Sequence, residues 1–584
     1  MAPASASRVH VDFNVPATMR DGTILRANVY RPDDGGAGAY PVLLTRLPYG
    51  KDLPMGSSVL DPAQAARRGY IVVVQDVRGT FASDGEWFPF QHERSDGADT
   101  IAWAAQLPGA NGMVGTFGAS YFGFTQWAAA TQSPAALHAM APMIAWDDPD
   151  DGVVRRNGVI ELGTSGYWNL MQGIGQLARR HAGDPRALGA SFYQLAQEFD
   201  RLPASGYAEL PLDRFGPLAR LGLDEPQGVL TERGRDGGRA ELMRVAPAYA
   251  LDVPVLHIGG WYDIFLNGTI RNFQAMRQHG NTRQHLLIGP WIHGDVRHVV
   301  GEVDFGLAAS GALVNLRGDL MSIQLQFFDR WLKDAPNGFD QTPAVQYFVM
   351  GANTWKSSDT WPPAGAREER WYLHSQGDAN SLAGNGVLAR EWPASEPADS
   401  FVYDPARPVP TLGGATLLHP VFRAGARDQR PVETRQDVLV YTSAPLSAPM
   451  EVTGPVSVSL FVATDVPDTD FVARLSDVHP DGTALPLTDG ITRMMYRDGV
   501  GAAAEPLALG HVYQIDIDLW STSAVFLPGH AIRLDVTSSS FPRWERNLNT
   551  GADSGKSVEM RAARQTVLHD AEHPSSLALS VVPA

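Results

Sequence analysis

Continuous apolar runs alternate with helix-like segments along the first 146 residues of the chain. The apolar runs occupy residues 40–45, 69–75 and 137–143, and each is followed by a loop rich in polar residues, Gly or Pro. Runs of this kind are typical of strands that are buried on both faces of a parallel sheet. Helix formers fill the segments between them. The alternation therefore predicts an α/β unit, in which helices cover both faces of a mostly parallel sheet.

The pattern becomes helical after residue 146 and then returns to strands. Residues 162–180 and 185–202 are rich in helix formers, and Asp184 with Pro185 is a typical start signal for the second helix. Apolar strand-like runs reappear at 253–260 and 285–290. The sequence thus predicts a helical insertion within a single α/β core.

Short strand-like runs separated by turn clusters replace the helices beyond residue 340. Residues 343–349 are the first of these runs, and no long helical segment follows. This pattern of short strand-like runs and turns is typical of an all-β sandwich or a jelly roll. The predicted division is 1–146 and 247–340 for the α/β core, 147–246 for the helical insertion and 341–584 for the β domain.

Composition narrows the classes of function. The chain has 584 residues, of which 44% are apolar, a formal net charge of −17 and no cysteine. The negative charge disfavours nucleic acid and anionic membranes as partners, and the lack of cysteine excludes disulfides, thiolate catalysis and Cys-ligated metals. Neither a membrane-spanning run nor a secretory signal is visible, so we expect a cytoplasmic protein. The oligomeric state is not fixed by the sequence, which is compatible with a homo-oligomer.

A glycine-flanked serine stands between a predicted strand and a predicted helix. Residues 118–123 read Gly-Ala-Ser-Tyr-Phe-Gly, with Ser120 at the sharp turn where α/β-hydrolases hold a nucleophile. The usual pattern is Gly-x-Ser-x-Gly, and here the second glycine comes one place late, at Gly123. Alone, the string also fits an ordinary strand-to-helix turn. If Ser120 is the nucleophile, the backbone N–H of Tyr121 is one oxyanion donor.

The pattern is completed by an aspartate and a histidine that lie much further along the chain than Ser120. Asp263 and His293 each follow a buried-looking strand. An acyl-transfer serine needs a base to take its proton and an acid to orient that base, and in α/β-hydrolases both lie on loops after sheet strands in the order Ser, Asp, His. This agreement of order and context predicts Ser120, Asp263 and His293 as a catalytic triad.

Other histidines and acids fit the triad less well. His257 lies inside an apolar strand, where we expect a hydrogen-bonded core histidine. His298 has no strand immediately before it and ranks second to His293 as the base. Asp295 lies in the same loop as His293, too close in sequence to serve as its acid.

Several short motifs along the chain are typical of one family. They are Asp-Val-Arg-Gly at 76–79 with Ser-Asp-Gly at 83–85, the serine turn at 118–123, Gly-Trp-Tyr-Asp at 260–263, Gly-Pro-Trp-Ile-His at 289–293, and stretches at 403–405 and 408–414. Together they resemble the bacterial cocaine esterase family of hydrolases, which is related to X-Pro dipeptidyl peptidases and α-amino acid ester hydrolases. That family uses the late glycine after its serine. The resemblance implies an α/β-hydrolase core, an inserted helical cap and a C-terminal jelly roll. It also implies that the hydroxyl of Tyr49 completes the oxyanion hole.

These features predict a two-step serine hydrolase of a small-molecule ester or amide, which needs neither a metal nor an organic cofactor. The family's members cleave aromatic esters, β-lactam side-chain acyl groups or dipeptides, and the sequence does not choose among these substrates. An acyltransferase with the same triad is an alternative. A non-catalytic glycan-binding protein with a relic hydrolase core is another.

Candidate substrate contacts are aromatic. They are Phe265, just past the predicted acid, and Trp146, Tyr167 and Trp168 from the region of the insertion; each also fits simple core packing. The acidic run 147–151 is predicted to be a solvated loop without the ligand spacing of a metal site, and it is an open candidate for binding a substrate ammonium. Asp76 and Arg78 are predicted to form an ion pair within their loop.

Overall fold

The computed structural model describes residues 8–34, 38–223, 238–500, 502–553 and 555–583. Part of the predicted helical insertion, residues 224–237, lies outside the described residues. None of the described helices combines the length and the apolar character that crossing a membrane requires.

Helices and strands alternate through the first part of the described chain. In chain order they are β1 (Val9–Thr18), β2 (Ile24–Pro32), β3 (Tyr40–Leu47), α1 (Pro62–Arg67), β4 (Ile71–Asp76), α2 (Glu93–Ala104), β5 (Ala110–Ala119), α3 (Tyr121–Ala130), β6 (Leu137–Met143), β7 (Arg155–Arg156), β8 (Val159–Ile160), α4 (Leu162–Arg180), α5 (Pro185–Arg201), α6 (Gly216–Ala219), α7 (Gly238–Met243), β9 (Val255–Tyr262), α8 (Leu266–Gln278), β10 (Gln284–Ile292), β11 (Val299–Val300), β12 (Val303–Asp304), α9 (Leu320–Lys333), β13 (Val345–Val349) and β14 (Thr354–Ser358).

Strands dominate the second part. They are β15 (Arg367–His374), β16 (Val387–Ala389), β17 (Asp399–Tyr403), β18 (Leu439–Ser443), β19 (Met450–Thr464), β20 (Asp470–Val478), β21 (Ala484–Arg493), β22 (Tyr513–Phe526), β23 (Ala531–Thr537), β24 (Ala563–Leu568) and β25 (Ser576–Val582), with the short helix α10 (Arg430–Glu433) before β18.

A ten-stranded mixed sheet forms the centre of the first part. Its order is β1-β2-β4-β3-β5-β6-β9-β10-β13-β14. The strands are parallel from β4 to β13 and antiparallel at the edges. Every residue of β4 and β9 is buried, as expected for central strands covered on both faces. The predicted α/β core is confirmed.

Side chains alternate across this sheet into two hydrophobic cores. Along β4, Val73 packs into a core with Ile101 of α2. Val72 and Val74 pack on the opposite face with Phe328 of α9. Burying a side chain of this size contributes roughly 1.5–3 kcal/mol, so the period of two along each strand fixes the sheet between its helices.

Helices α4 to α7 are inserted between β6 and β9. Asp184 caps α5 by accepting the backbone N–H groups of Arg186 and Ala187, and Pro185 occupies the first turn, as the sequence predicts. Leu170 of α4, Leu195 of α5 and Leu218 of α6 share a small separate core, which holds these three helices together.

The first sheet extends beyond the predicted boundary at residue 341. The sequence pattern assigns Val345–Val349 to the β domain, but β13 pairs in parallel with β10, and β14 pairs with β13. A short apolar run fits either kind of sheet, because periodicity does not identify the partner strand. The structure therefore pairs this strand with the first sheet, while the domain boundary at residue 341 stays a prediction.

The described residues beyond 358 form the predicted all-β domain. Its strand order is β17-β24-β19-β25-β15-β16-β18-β23-β20-β21, with β22 paired to β19. The core of this domain is continuous with that of the α/β unit, since Trp261 and Tyr262 of β9 pack in the same cluster as Trp520 of β22. The Tyr262 hydroxyl also donates to the Pro486 carbonyl oxygen at 3.0 Å. The strand end that precedes Asp263 is thereby anchored on the β domain.

A buried histidine lies between two carboxylates in the β domain. His569 Nε2 is 2.9 Å from Asp399 Oδ2, and its Nδ1 is 3.3 Å from Glu396 Oε2. Burial opposes the charged ring, but the two carboxylates outweigh burial and raise the pKa of His569. Burial likewise opposes the charged form of Asp399, and hydrogen bonds led by that from His569 outweigh it and lower the pKa of Asp399.

This cluster is expected to make the free energy of unfolding depend on pH. The contribution of His569 is fully present below its unfolded pKa of about 6.5 and is lost as pH rises through the higher folded pKa. That of Asp399 is present above about pH 3.9 and is lost as pH falls through the lower folded pKa. We therefore expect His569→Gln to lower the free energy of unfolding by about 3–5 kcal/mol. The loss should be largest between about pH 4 and 6.5, and thermal unfolding at several pH values measures it.

A surface histidine provides the control for this measurement. His573 contacts Asp570 at a partly exposed site, so His573→Gln should change the unfolding midpoint little at any pH. A loss of stability in His569→Gln that is the same at pH 5 and at pH 9 would contradict the assigned charge.

Candidate active site

Ser120 occupies a strained turn between β5 and α3. Its backbone has φ 56° and ψ −124°, a conformation that residues other than glycine rarely adopt. The Ser120 N–H donates to the Met143 carbonyl oxygen at 3.0 Å, and its own carbonyl oxygen accepts the Phe124 N–H at 2.8 Å. These backbone hydrogen bonds hold the turn and present the side chain at the carboxyl end of β5.

The late glycine of this turn has a steric cause. A Cβ atom on Gly123 would lie 2.8 Å from the Met143 carbonyl oxygen, so only glycine lets α3 approach β6 at this point. Phe122, where the usual pattern has glycine, is buried in the core shared with α9. The close approach of helix and strand therefore takes place one residue later than in the usual pattern.

Three predicted residues form one hydrogen-bonded chain. His293 Nε2 lies 2.9 Å from Ser120 Oγ, and His293 Nδ1 lies 2.7 Å from Asp263 Oδ2. The Asp263 side chain is fully buried, and its other oxygen accepts the Phe265 N–H at 2.7 Å. Ser120, Asp263 and His293 follow β5, β9 and β10, so they meet at the carboxyl edge of the sheet, where open α/β sheets bind ligands.

The weaker candidates lie in other environments. His257 is buried and its Nε2 contacts Gln284 at 2.9 Å; burial lowers the pKa of His257 to about 4. His298 contacts Asp304 at the surface, and Asp295 pairs with Arg297. None of these contacts involves Ser120.

Tyr49 lies beside Ser120 with its hydroxyl oriented by a tryptophan. Trp168 Nε1–H donates to the Tyr49 hydroxyl oxygen at 3.0 Å, and the hydroxyl also interacts with the Ser120 side chain. Burial raises the pKa of Tyr49 to about 12, so the phenol stays protonated at neutral pH. Since Trp168 is the donor in this hydrogen bond, the Tyr49 O–H is not used by it and is available to a negatively charged oxygen in the site.

The loop that carries Tyr49 is held by a hydrogen bond to the end of the neighbouring strand β4. Asp76 at the end of β4 accepts the Lys51 N–H at 2.7 Å. The predicted ion pair between Asp76 and Arg78 is absent, because Arg78 binds Asp96 through two hydrogen bonds of 2.8 and 2.7 Å instead. A loop sequence does not reveal that a helix such as α2 supplies the partner.

Tyr121 is held by a buried polar network that sequence reasoning missed. Its backbone N–H lies in the first turn of α3, where helical N–H groups lack partners within the helix. Its hydroxyl donates to Glu93 Oε1 at 2.9 Å and accepts the Phe90 N–H at 3.0 Å. Arg46 Nη1 binds the other oxygen of Glu93 at 2.9 Å. Glu93 is the first residue of α2, and no sequence motif around it indicated that it would contact Tyr121.

Two cavities open on Ser120. The larger has a volume of about 570 Å³, and Tyr49, Tyr167, Trp168 and His293 are among the residues that line it. The smaller has about 40 Å³ and is enclosed mainly by the rings of Phe90, Tyr121, Trp146, Trp168 and Phe265. All four aromatic candidates thus line a cavity, three of them the smaller one. Phe90 and Leu417, which lines both cavities from the β domain, were not predicted.

The aspartates of the acidic run 147–151 form ion pairs with two arginines. Arg271 binds Asp147 and Asp151 at 2.8 and 2.6 Å. Arg244 binds Asp148 and Asp150 at 3.3 and 3.0 Å. The run is therefore a paired structural segment rather than a solvated loop. Of the described residues that line either cavity, the one carboxylate is that of Asp319, whose Oδ1 caps α9 by accepting the Ser322 N–H at 2.6 Å.

Comparison with known proteins places the chain in a family. Residues 21–295 match the model of the X-Pro dipeptidyl-peptidase (S15 family), and residues 337–578 match that of the X-Pro dipeptidyl-peptidase C-terminal non-catalytic domain. The chain is 36% identical to a cocaine esterase of Rhodococcus sp. (strain MB1 Bresler), over 98% of both chains. The chain belongs to the cocaine esterase-like family of serine hydrolases. As a family member it is an enzyme that acts on esters or peptides.

Solved structures show the same fold over the whole length of this family member. An aminopeptidase from the marine sediment archaeon Thaumarchaeota archaeon superposes with a TM-score of 0.78 and 26% identity, covering 100% of this chain and 97% of its own. An α-amino acid ester hydrolase superposes with a TM-score of 0.78 and 24% identity, covering 100% and 98%. The predicted combination of an α/β-hydrolase core with a C-terminal β domain is confirmed by this agreement.

Proposed function

We propose that the chain is a carboxylic ester hydrolase that works through an acyl-enzyme on Ser120. As Oγ attacks the ester carbonyl carbon, His293 Nε2 accepts its proton and the carbonyl electron pair moves onto oxygen. Collapse of this intermediate breaks the bond to the leaving alcohol, which takes the proton from His293. Water then repeats the sequence and releases the acid. The hydrogen-bonded chain of Ser120, His293 and Asp263 at the mouth of two cavities carries this proposal.

The oxyanion is proposed to lie between Tyr49 and Tyr121. Negative charge that develops on the carbonyl oxygen needs donors that are already in place. The Tyr49 hydroxyl interacts with the Ser120 side chain, and the Tyr121 N–H belongs to the residue that follows Ser120. The Trp168 and Glu93 contacts hold the two tyrosine side chains before substrate arrives.

The two cavities are proposed to divide the substrate between them. The base must protonate the leaving group, so the leaving alcohol belongs on the side of His293. His293 lines the larger cavity and not the smaller one. The acyl group then occupies the aromatic cavity of about 40 Å³, which fits a compact acyl group, either flat and aromatic or short and aliphatic. A bulky apolar alcohol fits the cavity of about 570 Å³.

The electrostatics favour an ester over an amino acid or dipeptide substrate. A substrate ammonium requires an unpaired carboxylate, and the acidic run 147–151 is held by Arg244 and Arg271. Asp319 caps α9 through Oδ1 and lines only the larger cavity, on the proposed leaving-group side and not on the acyl side. Within this proposal the helices α4 to α7 are a cap over the site, and the β domain is a jelly roll that contributes Leu417 to the cavity walls.

Hydrolysis of p-nitrophenyl esters with acyl groups from acetyl to octanoyl, and of the benzoyl ester, tests the proposed function. We expect kcat/KM to be highest for compact acyl groups and lowest for octanoyl, and an X-Pro p-nitroanilide to be cleaved far more slowly. Phe265→Ala should shift the preference toward longer acyl groups, whereas Met171→Ala, in the larger cavity only, should not. Failure to hydrolyse any ester, together with no reaction with a fluorophosphonate, would favour the non-catalytic alternative.

The Tyr49 hydroxyl is expected to contribute to kcat rather than to binding. Tyr49→Phe removes one oxyanion donor and should lower kcat by about 10²–10³-fold with little change in KM, measured with p-nitrophenyl acetate. Tyr167→Phe is the matched control, because Tyr167 lines the same cavity but its ring contacts Phe199 and His419. Equal kcat values for wild type and Tyr49→Phe would remove Tyr49 from the oxyanion hole.

A further inference from the structure

Two turns of the β domain bring two histidines to one buried carboxylate. Asp477 lies near the end of β20, His479 begins the turn to β21, and His530 ends the turn between β22 and β23. His530 Nδ1 is 2.9 Å from Asp477 Oδ1, and His479 Nε2 is 3.6 Å from Asp477 Oδ2. The two imidazole rings are 4.4 Å apart between centroids, and the three candidate ligand atoms lie within 4.8 Å of one another.

We propose that Asp477, His479 and His530 bind a divalent transition-metal ion, Zn²⁺ in the first instance. Two imidazole nitrogens and one carboxylate oxygen are a donor set that Zn²⁺ takes in proteins, with water in the fourth position. Bonds of about 2.0–2.2 Å in a tetrahedron separate neighbouring ligand atoms by roughly 3.3 Å. Asp477 Oδ2 lies 3.1 Å from His530 Nδ1 and 3.6 Å from His479 Nε2, and these separations from one carboxylate oxygen bracket this distance.

The charges around Asp477 differ from those around other buried acids of the β domain. Asp470 is paired with Arg493 at 2.9 Å, Glu433 with Arg533 at 2.6 Å, and Asp489 with Arg543. Among the described residues, Asp477 has ion-pair contacts with His479 and His530 and with no lysine or arginine. With neutral imidazoles this cluster carries one uncompensated negative charge in a low-dielectric setting, which a dication would neutralise.

The backbone already holds the ligands in position. The His479 N–H donates to the Thr483 carbonyl oxygen at 2.8 Å, which closes the β20–β21 turn. The His530 N–H donates to the Leu527 carbonyl oxygen at 3.0 Å, and the His530 carbonyl oxygen accepts the Leu446 N–H at 2.8 Å. The His479 side chain is 37% exposed, which gives an ion a route from solvent to the buried carboxylate.

The position of the cluster indicates a structural rather than a catalytic ion. Asp477 pairs with Leu485 in the β20–β21 ladder, next to Pro486, whose carbonyl oxygen accepts the Tyr262 hydroxyl. An ion at Asp477 would therefore stiffen the part of the β domain on which the end of β9 rests. The expected effect is on stability and does not depend on the function proposed for Ser120.

Zn²⁺ binding to the full chain after treatment with a chelator tests this inference. We expect calorimetric titration to show one Zn²⁺ per chain, and the thermal unfolding midpoint to rise with the Zn²⁺ concentration. His479→Gln and Asp477→Asn should each weaken binding by at least about tenfold. His573→Gln is the control, because His573 contacts Asp570 without a second histidine and should leave binding unchanged.

Two results would overturn the site. One is wild-type protein whose unfolding midpoint does not respond to Zn²⁺. The other is equal binding to wild type and to His479→Gln, which would show that Zn²⁺ binds adventitiously elsewhere. If Asp477→Asn fails to fold, titration of the wild type with Co²⁺ decides: intense tetrahedral bands in the visible spectrum support the site, and only the weak octahedral spectrum of the aqueous ion contradicts it.

Discussion

Replacement of Ser120 by Ala is expected to lower kcat for p-nitrophenyl esters by on the order of 10⁶-fold. The Ser120 hydroxyl lies 2.9 Å from His293 Nε2, and alanine in its place leaves the base without that proton to take. KM should change little, because both cavities and both oxyanion donors remain. The measurement is the steady-state rate of purified protein, with circular dichroism to show that the fold is retained.

A second serine in the cavity wall controls for loss of a hydroxyl as such. Ser58 lines the larger cavity, but its Oγ–H donates to the Met55 carbonyl oxygen at 2.9 Å. Ser58→Ala should therefore retain nearly full activity. Comparable activity in Ser120→Ala and the wild type would show that Ser120 is only a structural turn.

Asp263→Asn is expected to lower kcat by about 10⁴-fold at neutral pH. The carboxylate accepts a hydrogen bond from His293 Nδ1–H, which keeps that proton on Nδ1 and leaves Nε2 free to accept the proton of Ser120. An asparagine amide donates at the same place and stabilises the opposite tautomer, in which Nε2 carries hydrogen and cannot act as a base. The pH–rate profile and the single-turnover acylation rate measure this loss.

Asp295→Asn is the matched control, since Asp295 lies two residues after His293 and pairs with the exposed Arg297. Its kcat should stay within a few-fold of the wild type. A small loss in Asp263→Asn, or an equal loss in both variants, would contradict the role of Asp263 as the partner of the base.

Local patterns were sufficient to predict the α/β core and the three residues that meet at its edge. The buried strands β3 and β4 have no polar interruption except near their ends, and such runs identify central parallel strands. Parallel strands deliver the residues that follow them to one edge of the sheet. Asp263 and His293 could therefore be placed near Ser120 from their positions after β9 and β10, although 143 and 173 residues separate them from it along the chain (263 − 120 and 293 − 120).

Contacts between distant segments could not be predicted in this way. Glu93 supports Tyr121 from α2, and nothing near residue 93 in the sequence indicates that partner. Arg271 of α8 pairs with Asp147 and Asp151 of the acidic run, and a charge run alone shows neither partner nor burial. The pairing of Val345–Val349 with β10 could not be predicted for the same reason, because its apolar residues do not specify whether β10 or a strand of the β domain lies beside it.

The most direct test of the account is the identification of the acylated residue. Wild-type protein mixed rapidly with a p-nitrophenyl ester, then quenched in acid and digested, is expected to carry the acyl mass on the peptide that contains Ser120. Ser120→Ala, treated in the same way, should carry none, although His293 and Asp263 remain in place. Acyl mass on another residue, or hydrolysis at the wild-type rate by Ser120→Ala, would contradict the central claim that Ser120 is the nucleophile.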